Sequence, residues 1–252
     1  MSSRIGLVML GGNSMKEITK VVVDAMGGDN APHEIIKGAV EAVGKSDAIH
    51  VILVGKEDVI NQELSGYTYN KEQISVVHTS EVIETAEPPV NAIRKKKQSS
   101  IVVGMNMVKQ KEADAFVSAG SSGAILVGGQ VIVGRIKGIE RPPLAPLIPT
   151  EKGVSLLIDC GANVECTAEY LLQFAYMGKF YTHDLLGCED PRIGLLNIGA
   201  EETKGTELQK QTYALLKEAH EAGRLNFVGN VEARDVFSGN VDVLVCDGFS
   251  GN

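Results

Sequence analysis

The sequence predicts an α/β fold built on a mainly parallel, doubly wound sheet, and three observations carry that expectation. Strand-like runs alternate with helical stretches, nearly every glycine-rich turn follows a strand-like run, and a proline-rich segment separates the first strand-helix group from the second. The turns read VVVDAMGGDNAP (21–32), AFVSAGSSGA (115–124), LLIDCGANVEC (156–166), GLLNIGAEETKG (194–205) and VLVCDGFSGN (243–252). Each places aliphatic residues first, then a small polar residue, then Gly, and in most cases a helix start. In an open α/β sheet such turns gather at the carboxyl ends of the strands, where ligands bind. Glycine lets backbone approach a ligand, and a helix start offers free N–H groups and a positive dipole end to an anion. Turns of this kind converging on one crevice point to a phosphate site.

Taken in order, strands are expected over 21–24, 51–54, 74–78, 115–118, 155–159, 193–197, 227–229 and 241–246. Helices are expected over 33–43, 89–96, 101–110, 168–181 and 207–222. The last carries Leu208, Tyr213, Leu215 and Leu216 among Lys and Glu, the mark of a helix with one face in solvent. Glu87-Pro88-Pro89-Val90 reads as a loop feeding a helix, since Pro suits the first turn. Residues 141–149 hold four of the eight prolines, so they form no helix interior; they are a boundary between lobes or an edge strand beside the cleft. Residues 1–14 read as an extension ahead of a natural start at Met15, and the echo of 21–29 in 5–13 reads as chance. The chain stops at Gly251-Asn252, on a turn that should open a helix, so a truncated C-terminus is expected.

Of the 252 residues, 44% are hydrophobic and 22% charged, an ordinary balance for a globular protein with an ample core. A formal net charge of −8 gives no reason to expect a nucleic acid partner. No apolar run reaches the roughly 18–20 residues of a membrane span, and no secretory signal opens the chain, so a cytoplasmic protein is expected. Cys160, Cys166, Cys188 and Cys246 show no CxxC spacing, which argues against zinc or a disulfide framework. Cys160 and Cys246 lie in or beside glycine turns, where a small apolar filler is favoured over a catalytic thiol. His33, His50, His78, His183 and His220 are scattered and form no metal-ligand pair.

The turn Ser118-Ala119-Gly120-Ser121-Ser122-Gly123 brings hydroxyls, glycines and a helix start together without a basic residue. A Walker loop would close on GKS or GKT. An anion here would be held by backbone N–H groups and hydroxyls, which suits orthophosphate; the same serines also serve as an ordinary helix cap. Asp24 and Asp29 flank Met26-Gly27-Gly28, and Asp159 to Asn163 and Asp247 to Asn252 repeat an acid at a strand end followed by Gly and Asn. Such a carboxylate binds metal, accepts a proton from phosphate or caps the next helix; the spacing forms no metal cluster. Lys204 stands near a helix start beside acids, where it reaches phosphate or stays solvated. Arg94-Lys95-Lys96-Lys97 is the one strong basic cluster, a solvated face or a docking patch for an acidic partner. The absence of GxSxG, a Cys–His signature and GxGxxG leaves serine hydrolase, papain-like and Rossmann readings unsupported.

In this order, DAMGGDNAP, EPPVNAIRKKKQSS, SAGSSGA, RPPLAP, LIDCGANVEC, GLLNIGAEETKG, FVGNVEARD and DGFSGN closely resemble the PlsX family of bacterial phosphate acyltransferases, from about Val21 to Asn252. That family usually carries Asn-Thr where this chain has Ser121-Ser122; serine keeps a hydroxyl, so activity should survive the change. It also continues past DGFSGN, so residues 15–252 read as a family domain truncated at its C-terminus. The resemblance implies transfer of a long acyl chain from acyl carrier protein to inorganic phosphate, giving acyl phosphate for phospholipid synthesis. It implies a fold similar to the phosphotransacetylases and isocitrate dehydrogenases, two lobes around a central cleft, and a homodimer without cofactor. A cytoplasmic enzyme is implied, able to associate with the inner membrane face, where a membrane-bound acyltransferase uses the product.

With phosphate as nucleophile, no enzyme nucleophile is required; the protein holds phosphate near the carbonyl and stabilises the oxyanion. Phosphate and oxyanion contacts are then expected from Gly27, Gly28, Ser118, Gly120, Ser121, Ser122, Gly123, Gly161, Ala162, Asn197, Ser250 and Asn252. The candidate catalytic residues are Asp24, Asn163, Lys204 and Asp247. Asp24, Asp159 and Asp247 position the loops, or one of them acts as a base. Arg94, Lys95, Lys96 and Lys97 would dock the carrier. Two other readings stay open: a phosphotransacetylase using coenzyme A, and a non-catalytic fragment that binds phosphate or dimerises. A dehydrogenase is disfavoured by the missing dinucleotide fingerprint.

Overall fold

The computed structural model describes residues 18–252; the expected extension and the start at Met15 lie outside the described residues. The chain divides between Gly134 and Arg135 into two compact units.

In the first unit, β1 (Thr19–Asp24), α1 (His33–Lys45), β2 (Ile49–Gly55), α2 (Glu57–Leu64), β3 (Ile74–His78), α3 (Pro89–Lys95), α4 (Ser100–Lys109), β4 (Ala115–Val117) and α5 (Ser122–Gly128) follow in order, and α5 runs on into a π-helical turn, Gly129–Val133. The sheet order is β3-β2-β1-β4 and every pairing is parallel, with Val21 opposite both Val51 and Ala115. Period-two alternation along β2 explains the layers. Val51 and Leu53 pack with Ile36, Ala39 and Val43 of α1 and Ile60 and Leu64 of α2, whereas Ile52 and Val54 pack with Val103, Met107 and Val108 of α4. Helices therefore cover both faces. Pro89 opens α3, and the Ser99 Oγ accepts from Val102 N at 3.4 Å to cap α4. The eight-residue α2 had no expected counterpart: it buries only Ile60 and Leu64, too few apolar positions to show a period.

The second unit holds β5 (Leu147–Thr150), β6 (Gly153–Ile158), α6 (Ala168–Leu186), β7 (Arg192–Asn197), α7 (Glu207–Glu221), β8 (Asn226–Glu232), a 3-10 turn (Ala233–Ser238) and β9 (Val243–Val245). Its order is β5-β6-β9-β7-β8, parallel except for the β5–β6 pair. The proline-rich segment thus ends as an edge strand, the position that tolerates Pro149. Leu156 and Ile158, Ile193 and Leu195, and Val243 and Val245 pack on Leu171 and Phe174 of α6 and Leu216 and Ala219 of α7. α6 starts at the Thr167 cap and stops at Gly187, whose φ of 72° suits glycine.

Both topologies put the glycine turns where ligands bind. In the first sheet the strand order reverses beside β1, so the turns after β1 and β4 leave adjacent strands at a switch point. In the second, β6, β9 and β7 are parallel neighbours, and their three turns leave the same edge.

Candidate functional site

The turns after β1 and β4 are built around Asp24. Its carboxylate is buried; Oδ1 accepts from Met26 N at 3.1 Å and Oδ2 from the Ser118 hydroxyl at 2.7 Å. The Ser118 Oγ in turn accepts from Gly120 N at 3.0 Å. Gly27 is required by this closeness, because a Cβ there would run into the Asp24 carboxylate and stand 2.9 Å from Gly120 N. Ser121 is buried, and its Oγ caps α5 by accepting from Ala124 N at 3.3 Å. Ser122 is exposed, and the N–H groups of Ser122 and Gly123 have no acceptor among the described residues. Pro89 belongs to this cluster, since a Cβ on Gly123 would meet its ring at 2.7 Å. The sequence flagged Pro89 only as a helix opener.

In the second unit Asp159 is the hub. It is fully buried and accepts four N–H donors: Leu144 N at 2.8 Å and Ala162 N at 3.1 Å on Oδ1, Asn163 N at 2.7 Å and Asn163 Nδ2 at 2.9 Å on Oδ2. Nδ2 of Asn163 donates also to the Pro142 carbonyl at 3.0 Å, and the Asn163 carbonyl accepts from Gly248 N at 2.8 Å. Asp247 closes the neighbouring turn, accepting Phe249 N at 2.9 Å and Ser250 N at 2.7 Å on Oδ1 and the Ser250 hydroxyl at 3.0 Å on Oδ2. Asn252 lies over Gly161, its Oδ1 3.5 Å from where a Cβ would stand. Asn197 is a loop tie: Nδ2 donates to Lys204 O at 3.1 Å and Oδ1 accepts Ile198 N at 2.8 Å. The Lys204 side chain is exposed and makes no ion pair with a described carboxylate.

This arrangement differs from expectation in one physical respect. The backbone donors of Ala162, Asn163 and Ser250, expected to face an anion, turn inward onto Asp159 and Asp247. Both amide protons of Asn163 are likewise spent within the protein. Asp24, Asp159 and Asp247 each tie their own turn through these hydrogen bonds. In the basic cluster, Lys96 pairs with Glu87 and donates to the Val82 carbonyl at 2.6 Å, and Lys97 donates to the Ile93 carbonyl at 3.2 Å. Arg94 and Lys95 are exposed. The Lys96 ammonium, with a second hydrogen bond at Glu84, holds the Glu87 carboxyl below its usual range.

All four cysteines are free thiols. Burial pushes Cys246 far above the usual thiol range, reinforced by the Asp247 and Asp159 carboxylates. Cys166 is pushed up to about 11, by burial first and by Asp159 second. Neither is a thiolate at neutral pH, so neither is a ready nucleophile. Among the described residues no three His, Cys, Asp or Glu are grouped to hold a metal, and no helix is long and apolar enough to cross a membrane.

A family model described as fatty acid synthesis protein matches residues 19–252. The chain is 52% identical over 233 residues to the phosphate acyltransferase of Clostridium novyi, covering 92% of this chain and 69% of that protein. It is 54% identical over 233 residues to the phosphate acyltransferase of Alkaliphilus oremlandii, covering 92% and 68%. Among solved structures, a phosphotransacetylase from Streptococcus pyogenes superposes with a TM-score of 0.68 at 18% identity, covering 93% of this chain and 79% of that one. The EutD phosphotransacetylase from Staphylococcus aureus gives 0.65 at 17% identity over the same shares. These two likenesses establish the fold.

Proposed function

The chain belongs to the fatty acid synthesis protein family, the PlsX group of phosphate acyltransferases, and from that membership we propose that it moves a long-chain acyl group from acyl carrier protein to inorganic phosphate. A phosphate oxygen attacks the thioester carbonyl, the C–S bond breaks, and the carrier thiol leaves with the proton that phosphate gives up. The products are acyl phosphate and free carrier.

One observation supports this reading above the others: the described turns offer positioned backbone and hydroxyl donors rather than a base-activated nucleophile pair. Ser122 and Gly123 present open N–H groups beside a hydroxyl at a topological switch point, and the thiols of Cys166 and Cys246 stay protonated. A reaction in which phosphate is the nucleophile needs only such positioning and oxyanion stabilisation. We assign phosphate and oxyanion contacts to the Ser118–Gly123 turn and to Gly161, with Lys204 neutralising charge and Asn197 and Asn163 orienting their loops. Arg94 and Lys95 dock the carrier. The protein is further proposed to be a cytoplasmic homodimer that meets the inner membrane face, where a membrane-bound acyltransferase consumes the product.

The test is phosphate-dependent loss of thioester from palmitoyl-acyl carrier protein, with acyl phosphate trapped by hydroxylamine. Hydroxamate that grows with phosphate concentration is expected. Turnover only with acyl-coenzyme A would replace the carrier by coenzyme A; phosphate binding without turnover from any thioester would leave a binding fragment.

A further inference from the structure

We propose that Arg141 is the residue that receives inorganic phosphate in the second unit. The inference rests on the acyl-transfer reading for the identity of the anion, and on local geometry for the residue.

The carboxyl edge of the second sheet is a poor anion site without a cation. It carries the buried Asp159 and Asp247, and the N–H groups of Ala162, Asn163, Phe249 and Ser250 that would otherwise cradle an oxyanion are already bonded to those carboxylates. A phosphate approaching this edge meets negative charge and spent donors, so a side chain must supply the attraction.

Arg141 stands at that edge. β5 is antiparallel to β6, with Leu147 opposite Leu156, so the residues ahead of Leu147 lie at the carboxyl end of β6. Three hydrogen bonds pin that lead to the Asp159 turn: Leu144 N to Asp159 Oδ1 at 2.8 Å, Asn163 Nδ2 to Pro142 O at 3.0 Å and Cys160 N to Leu144 O at 2.9 Å. Pro142 and Pro143 remove further backbone freedom. The guanidinium lies 6.0 Å from the centre of the Tyr170 ring, in the first turn of α6. A ring face steadies a guanidinium while leaving its N–H edge open to an oxyanion. Arg192, Arg224 and Arg234 each pair with a carboxylate, whereas Arg141 makes no ion pair among the described residues. Lys204, the other open cation of this edge, is a single exposed ammonium on a free stem. Arg141 alone offers a planar, braced fork.

The test compares Arg141→Gln and Arg141→Lys with the unaltered chain. Arg141 is exposed, so neither change opens a cavity, and unfolding without phosphate should be the same for all three. In the thioester-loss assay Arg141→Gln should raise the phosphate KM by about 10- to 100-fold, and Arg141→Lys by less, with the acyl-carrier KM within about twofold. Independently of turnover, inorganic phosphate should raise the Tm of the unaltered chain and not that of Arg141→Gln. A phosphate KM and a phosphate-dependent Tm shift unaltered in both variants overturn the proposal, as does a rise confined to the acyl-carrier KM. If the unaltered chain turns over no thioester yet gains Tm from phosphate only through Arg141, the acyl-transfer reading falls and the Arg141 site stands.

Discussion

Ser121 and Ser122 are adjacent in the chain but do different physical work. The buried Ser121 hydroxyl accepts the Ala124 N–H as a helix cap; the Ser122 hydroxyl is exposed beside two open N–H groups. Ser121→Ala should therefore cost about 1 kcal/mol of stability through the lost cap. Ser122→Ala should leave denaturation unchanged and act on kinetics, raising the phosphate KM or lowering kcat. Near-normal kinetics in the double variant would remove this turn from the site. Sequence alone could mark both serines, because the acid–glycine–serine grammar of the turns is local. It could not separate their roles, nor show that Asp159 consumes the donors of Ala162 and Asn163. Those contacts span only three or four residues, but they depend on which way each side chain and N–H points within its turn, which residue identity does not specify. Other ties join distant segments, as where Asp24 meets Ser118 across 94 positions. Arg141 was missed as a site residue for the same reason, since the signal in RPPLAP was proline stiffness and not the Tyr170 ring beneath the guanidinium.

At the scale of elements, the β–α alternation was legible because most parallel strands are apolar runs closed by a polar residue or glycine, β8 with Gly229 and Asn230 inside it being the exception. The short α2 was not, and β5 remained one of two alternatives until its pairing with β6 placed it at an edge. Also hidden was the clamp at the amino end of β7. There Arg192 Nε and an Nη reach the two oxygens of Asp242, ahead of β9, at 2.9 Å each, and Arg192 N donates to Asp242 Oδ2 at 2.8 Å. Burial alone would raise the Asp242 carboxyl, but the Arg192 side-chain and backbone hydrogen bonds outweigh it and hold the carboxyl below its ordinary 3.8. A carboxyl lowered in the folded state adds stability above its unfolded value, and that stability is lost as pH falls through the folded one. The clamp is partly exposed, so solvent screening limits it to about 1–2 kcal/mol. Asp242→Asn should lie below the unaltered chain in urea midpoint at about pH 6, and the gap should close towards about pH 3. A gap of equal size at both would mean that the charge of Asp242 does not set the register of β7 and β9.

At the scale of the whole molecule, a net charge of −8 means that the proposed docking of an acidic carrier would need a local excess of positive charge. The basic cluster at the C-terminal end of α3 would supply it, but its four residues are not equivalent. Lys96 holds the loop before α3 through Glu87 and the Val82 carbonyl, so its replacement would disturb structure and recognition together. Arg94 and Lys95 are exposed and carry no such tie, which makes them the clean probe. Arg94→Glu combined with Lys95→Glu should lower kcat/KM for acyl carrier protein about tenfold at low ionic strength, through a slower encounter, with kcat unchanged. Added salt should shrink the difference, because exposed charges are screened over about 10 Å at 0.1 M. The melting curve of the pair should match that of the unaltered chain, since neither residue touches the core. An unaltered kcat/KM at low salt would reduce Arg94 and Lys95 to a solvated face and leave the carrier to be recognised elsewhere on the molecule.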